Sequence, residues 1–558
     1  MRANLWKCSI LVSLALLEPS LALGREQVLL SEEGSVAATR GTGNKIITHG
    51  GKRFVAWMDK RGAGFVSIIK ALDLSSGKWS PEYVIGVAKS DHGRPALTLD
   101  SQGYLHTVYG IHQDRVPYRR SVRPLDASEW TEKVLFGGRL SYPTLLCGAD
   151  DTLFLSGRYA WDGVRFYAKP PKRNWEDRGL IIRVLDHCFS YAAFHEGIVW
   201  GPEHKTMHLA CRFFQSTTTE SIDWGSIQSA NYMRSHDSGR TWERASGAPI
   251  TMPATSETMD VLIAAESMDP KPNIFNDGAI VVDSRGSPYV LYFLHTPQKP
   301  GQVFLVKADP ETGKWRQLPL QEALHRYYPG WAVVDSRSGF TITEDDRLYM
   351  ALTVIPVDHP AAHWDGKPKD KHQNEPGYWS HYYPEAKRIA WLESTDAGNT
   401  FTAYDVLDND PRTAELHPSI EMDTGFHGIP AGSYPALLYH TGTAGLGGTG
   451  EDGDIDVFYV DVTGSKPLLP PPSGLSSTPG SQEVLLDWDD AAGEAKGYNV
   501  YRAKAPDGPF IKRNVRLLTR SRFSDATTIE GVTYLYTVRT VYGEVESEYS
   551  FALPVVQE

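Results

Sequence analysis

Cysteine is scarce in this chain, with four in 558 residues. Cys8 lies in the N-terminal leader described below. Cys147, Cys188 and Cys211 are then left, an odd number without metal-ligand spacing, which excludes a disulfide framework and a zinc cluster of cysteines. Their apolar, strand-like surroundings predict buried thiols, with a single disulfide left open for an exported chain. Positive charge is also in deficit. Against 68 Asp and Glu stand 56 Lys and Arg, for a net charge of −12, so a nucleic-acid-binding surface is excluded. One local exception is "DRVPYRRSVR" (114–123), which holds Arg115, Arg119, Arg120 and Arg123. No long amphipathic helix pattern, Gly-rich phosphate loop or nucleophile with an activating triad is present. No internal run approaches the roughly 20 apolar residues that a membrane span needs.

What the chain does have begins with a leader. Arg2 and Lys7 precede an apolar run from Ser9 to Leu17, and Ser20-Leu21-Ala22 offers a small-x-small cleavage site. Residues 1–22 therefore read as a secretory signal peptide, and the mature chain is expected outside the cytoplasm, secreted or periplasmic. Turn formers are abundant, with 50 Gly and 36 Pro, and so are aromatics, with 15 Trp and 27 Tyr.

One design recurs along the chain: apolar strand, Asp- or Gly-rich turn, aromatic-rich strand. It appears at 45–59, 97–110, 145–159, 194–214, 279–295, 340–354 and 434–460. Seven such hairpins are too many for one sandwich and too far apart for a β-helix, and radial repetition of small antiparallel sheets gives a β-propeller. "SHDSGRTW" (235–242) and "STDAGNTF" (394–401) share the pattern Ser-x-Asp-x-Gly-x-Thr-aromatic. This is an Asp-box turn, in which side-chain oxygens bond turn amides and Gly takes a positive φ. The expected class is all-β: a seven-bladed β-propeller over 23–463, a stiff Pro-rich linker over 464–474, and a small fibronectin type III-like β-sandwich over 475–558. Trp488 and Tyr534 suit such a sandwich, the latter as a tyrosine-corner residue.

Three of the chain's 18 histidines crowd into "SDHGRPALTLDSQGYLHTVYGIHQD" (90–114). The hairpin turn there centres on Gln102. His92 and His112 are equidistant from it and are expected to meet at the open end, whereas His106 falls opposite Thr98 near the turn. In the next hairpin, centred on Asp150, Tyr142 and Arg158 are equidistant in the same way. Neighbouring blades present equivalent ends on one face, so His92, His112, Tyr142 and Arg158 are expected to converge. Arg158 offers a planar, permanently charged fork for a carboxylate. The imidazoles and the phenol can exchange protons near neutral pH. That set suits β-elimination on a uronic acid.

The segments "YGIHQDRVPYRRSVRPLDASEWTE", "SYPTLL", "LFLSGRYA" and "HKTMHLACRFF…NYMRSHDSGRTW" resemble the BNR-4 propeller family. That family includes the seven-bladed ulvan lyases of polysaccharide lyase families 24 and 25, with relatives that cleave rhamnose–glucuronate linkages at chain ends. The resemblance covers roughly residues 40–462. It implies a catalytic set of His92, His112, Tyr142 and Arg158, in which Arg158 neutralises the carboxylate, and it adds Tyr191 as a substrate-binding residue. Arg115 and Arg119 are expected substrate contacts, with Arg120 as a further candidate for sulfate. No cofactor is expected for the chemistry itself. Some relatives hold a structural metal ion, calcium or zinc; here "EDGDID" (451–456) offers Asp452, Asp454 and Asp456, but alternating acids on a solvated strand explain the run equally well, and no metal ligand is assigned. The expected partner is an anionic polysaccharide, met by a monomer. Three readings compete: an ulvan lyase acting within chains, an exo-acting lyase or glycosidase on the same scaffold, and a non-catalytic glycan-binding propeller.

Overall fold

The computed structural model describes the chain from Glu26 to Val556, apart from residues 36–37, 41–42, 63, 91, 161, 189–195, 218–226, 270, 277, 297, 335–338, 364–386, 408–413, 443–454, 480–482, 492–494 and 506–507. The leader and Tyr191, Asp452 and Asp454 lie outside the described residues.

Short antiparallel sheets succeed one another along the chain and form the seven blades of a propeller. Blade 1 runs Ile46–His49, Lys52–Arg61, Gly64–Asp73, with Lys78–Trp79 and Tyr83–Ala88 on its outer side. Blades 2 and 3 share one seven-stranded sheet. The long strand Val134–Cys147 joins them: its first half pairs with His112–Arg120 of blade 2, and its second half is the innermost strand of blade 3, pairing with Leu153–Tyr159. Blade 4 follows with Glu196–Trp200, Met207–Gln215 and Ile227–Ser235, and blade 5 with Ile280–Val282, Pro288–Thr296, Lys299–Ala308 and Trp315–Leu318. Blade 6 is Gly339–Ile342, Leu348–Pro356, Arg388–Ser394 and Thr402–Asp405. Blade 7 closes the ring, because its outermost strand is Glu26–Ser31 from the start of the chain, paired with Val457–Asp461.

The seventh repeat differs from the sequence expectation. The segment 434–460 supplies the second and third strands of blade 7, and its innermost strand is Ala414–Ile420. The polar interruption Glu415, His417 and Ser419 conceals that strand in the sequence, yet all three side chains are buried. The wedges between blades are filled by strand residues of both neighbours, as where Phe154 and Phe166 of blade 3 pack with Trp200 and Met207 of blade 4. Both Asp boxes form. Asp237 accepts from the Thr241 amide (2.8 Å) and hydroxyl (2.7 Å), and Asp396 does the same with Thr400 at the same distances. Gly239 and Gly398 stand at φ +81° and +82°, where a Cβ would be strained.

Two further sheets, Ser476–Pro479 with Val484–Asp487 and Arg522–Asp525, and Ala495–Ala503 with Thr533–Tyr542 and its neighbours, make the small C-terminal sandwich. Trp488, Tyr498, Tyr534 and Tyr536 lie in a core of its own. The linker is tied to the propeller at its start: Lys466–Pro467 pairs with blade 6, and the Leu468 amide donates to the Ala403 carbonyl at 2.7 Å. Cys147, Cys188 and Cys211 are all free and buried.

Candidate active site

At the open end of the blade 2 hairpin the chain doubles back on two glycines. The Gly110 amide donates to the Gly93 carbonyl at 2.7 Å, and a Cβ on Gly93 would lie only 2.7 Å from the Gly110 Cα. This approach, open only to residues without a side chain, draws the flanking histidines together. The rings of His92 and His112 stack with centroids 4.2 Å apart and planes within 8°. Ser90, which sequence reasoning passed over, sits against the Nδ1 of each ring, at 3.4 Å from His92 and 3.0 Å from His112.

Three strands place the remaining groups. His112, Ser141 and Arg158 occupy one row across adjacent strands. Tyr142 was expected opposite Arg158; Ser141 takes that place, because the register shifts between Ser141 and Thr144 and leaves Tyr142 in a bulge at φ +55°. A left-handed non-glycine residue costs about 1–2 kcal/mol. The bulge turns the phenol toward its neighbours: the Tyr142 ring lies 5.8 Å from His92, with the Arg158 guanidinium 4.6 Å from its centroid. All four expected residues therefore meet. Blade 7 carries a second copy of the device. His417-Pro418-Ser419 repeats Tyr142-Pro143-Thr144, with His417 in a bulge at φ +48° and His440 in the strand position that Arg158 holds in blade 3.

Arg158 is 2% exposed, and Glu196 at the start of blade 4, a buried acid on which it acts electrostatically, is fully enclosed. Burial pushes the Glu196 carboxyl up to about 8, against the opposing pull of Ser156 and Arg158. At neutral pH this carboxyl is mostly protonated, so it leaves the Arg158 charge largely in place. Two further cations border the phenol that the sequence reading did not single out. Arg94 places its guanidinium 5.5 Å from the Tyr142 centroid, and Lys45 is buried beside it. A Lys-Ile-Ile strand start and an Arg-Pro dipeptide gave no signal by themselves; only the propeller closure brings blades 1, 2 and 3 around one point.

The expected substrate contacts fare differently. Arg115 is exposed and donates to the Leu135 carbonyl at 2.6 Å, three residues along the strand from His112. Arg119 is paired with Thr107 beside the Tyr109 hydroxyl. Seven residues of extended strand, on the order of 20 Å, separate it from His112, so Arg119 stands apart from the cluster. Arg120 stacks on Tyr104 at 4.3 Å, nearer still to the turn. His106 is a packing residue, bonded to the Tyr118 hydroxyl (2.7 Å) and Asp100 (3.0 Å). The large cavity of about 440 Å³ bordered by Trp200, His204, Phe340, Glu344, Asp423 and Phe426 contains none of these groups and lies among the inner-hairpin turns, at the opposite end of the strands. Among the described residues, no group of three or more His, Cys, Asp or Glu is gathered for a metal ion, and no helix is long and apolar enough to cross a membrane.

The family described as "BNR repeat-containing family member" matches residues 52–323. That span runs from blade 1 through blade 5 and includes the whole cluster. Among solved structures, a family PL25 ulvan lyase bound to -[GlcA(1-4)Rha3S]- aligns with a TM-score of 0.56 at 14% identity, covering 77% of this chain and 95% of that one. A second PL25 ulvan lyase structure gives the same values. The likeness is one of fold, and it extends over the propeller. No curated protein matches the chain.

Proposed function

We propose that the protein is a polysaccharide lyase that cleaves a uronic-acid-containing polymer by β-elimination. The observation that carries this reading is the convergence of two stacked imidazoles, a phenol and a buried guanidinium on one face of the propeller. Each step of the reaction has a matching group. Arg158 takes the C6 carboxylate in a two-pronged ion pair and so acidifies the proton on C5. An imidazole nitrogen offers a lone pair and a phenol a hydroxyl proton, so we take His92 as the base and Tyr142 as the acid. His92 removes the C5 proton, the electron pair forms the C4=C5 double bond, the C4–O4 bond breaks, and Tyr142 supplies the proton to the departing O4. His112 backs the charge that develops on His92 through their stacked rings and shared Ser90 contact.

For the substrate, the PL25 neighbour's glucuronate–sulfated rhamnose ligand supports ulvan, and the leader supports a place outside the cytoplasm. The test is incubation of the purified protein with ulvan and with unsulfated uronate polymers, following near-ultraviolet absorbance for the unsaturated product. Absorbance that rises on ulvan supports the reading. Binding of every uronate polymer without any product would replace it with a non-catalytic glycan-binding propeller.

A further inference from the structure

Against Tyr142 lies a cavity of about 10 Å³ bordered by Arg40, Gly43, Lys45, Arg94, Pro95, Tyr142 and Pro143, a lining that includes neither His92 nor His112. A volume of that order holds about one water molecule, so no sugar group enters it. Lys45 is 1% exposed and donates to the Gly43 carbonyl at 2.8 Å, and Arg94 is 6% exposed. A buried ammonium is costly, and two cations brought together cost more. Yet the fold brings one from blade 1 and one from the entry to blade 2 against the same tyrosine, whose ring also carries the Arg158 guanidinium at 4.6 Å.

We propose that Lys45 and Arg94 are positioning residues that hold Tyr142 in place and stabilise the negative charge its oxygen gains on giving up its proton. The inference rests on the lyase reading above. It assigns the pair a part in turnover rather than in binding, since the cavity is too small to admit substrate. Lys45 then has a built-in pH dependence. Burial, and secondarily Arg94, bring its ammonium down to about 7, so its charge is present below that pH and fades above it. The groups facing Lys45 are Arg40 on its own segment, Arg94 on blade 2, and Tyr142 on blade 3 with Arg158, His92 and His112 beyond. From blade 7 comes His427, which bonds the adjacent Asn44 and is held by burial at about 3, and so is neutral.

The experiment compares wild type with Lys45→Met, Lys45→Arg and Arg94→Met. In Lys45→Met, kcat is expected to fall at least tenfold at pH 6 with KM within about twofold, and the wild-type to variant ratio to shrink as pH rises from 6 to 8. Lys45→Arg, whose charge is permanent, is expected to restore part of kcat and remove the pH dependence of the ratio. A ratio constant with pH, or a loss confined to KM, overturns the proposal. Should wild type make no product from any uronate polymer, the lyase reading falls separately. The pair is then judged by an NMR titration of the Lys45 side chain, assigned by its disappearance in Lys45→Met. A midpoint lowered by Tyr142→Phe supports coupling, and an unchanged one overturns it.

Discussion

Gly93 and Gly110 are joined by a single 2.7 Å hydrogen bond, and that bond sets the distance between His92 and His112. Gly93→Ala would drive a methyl group to 2.7 Å from the Gly110 Cα and 2.8 Å from the Ala88 Cβ. The expected cost is about 1–3 kcal/mol of stability, with a fall in product formation as the imidazoles separate. Thermal unfolding together with product absorbance checks it, and unchanged activity in a destabilised variant would disconnect the glycine pair from the site.

Arg158 is buried, so Arg158→Ala would leave a cavity as well as remove a charge. Arg158→Met keeps most of the stem. Its rate of product formation is expected to drop by on the order of 10²–10³, with a smaller change in melting temperature than in Arg158→Ala. Near-normal turnover in the Met variant would remove Arg158 from the mechanism.

His92→Ala and His112→Ala are expected to lose product formation while unfolding near the wild-type temperature. His106→Ala should do the reverse, because it strands Tyr118 and Asp100 in a buried setting at a cost of about 1–3 kcal/mol. Melting curves and progress curves on all three variants separate the roles.

Glu196 offers a stability test independent of substrate. Its carboxyl is raised from 4.5 to about 8, so the folded state holds its proton more tightly than the unfolded chain does. The resulting contribution is fully present below pH 4.5 and is lost as pH rises through 8. Glu196→Gln is expected to flatten this loss, gaining stability relative to wild type by up to a few kcal/mol, in order of magnitude, at pH 8 compared with pH 5. Parallel denaturant titrations at the two pH values measure it, and an equal difference at both would place the titration elsewhere.

A chain cut after residue 470 is expected to remain folded and active on small oligosaccharides, since the sandwich has its own core. A cut at 465 should be less stable, because it strips Lys466–Pro467 from blade 6. The Phe551 ring resting on Gly330 predicts a small loss of melting temperature even for the longer form.

Much of this architecture is legible in the sequence because hairpin pairing is arithmetic. Residues equidistant from the turns at Gln102 and Asp150 do meet, as Thr98 with His106 and Thr144 with Ser156 show. The bulge at Tyr142 is not legible, since a left-handed tyrosine before a proline has no local signature and is imposed by the strands on either side. Lys45, Arg94 and Glu196 escaped notice for a related reason. Each reads as an ordinary polar residue near a strand start, and only the packing of neighbouring blades brings Lys45 and Arg94 to the phenol and Glu196 within electrostatic reach of Arg158. The innermost strand of blade 7 is hidden in the sequence because it is rich in polar residues that the fold nevertheless buries.

The pairing of Glu26–Ser31 with Val457–Asp461 also makes the outer edge of blade 7 depend on a strand more than 400 residues away in the chain. Until both ends of the propeller chain are present, Val457–Asp461 is an open sheet edge, the kind of surface on which chains aggregate. An intact chain covers that edge with its own first strand. A chain that has lost Glu26–Ser31 leaves that edge uncovered, so such a truncated form is expected to self-associate.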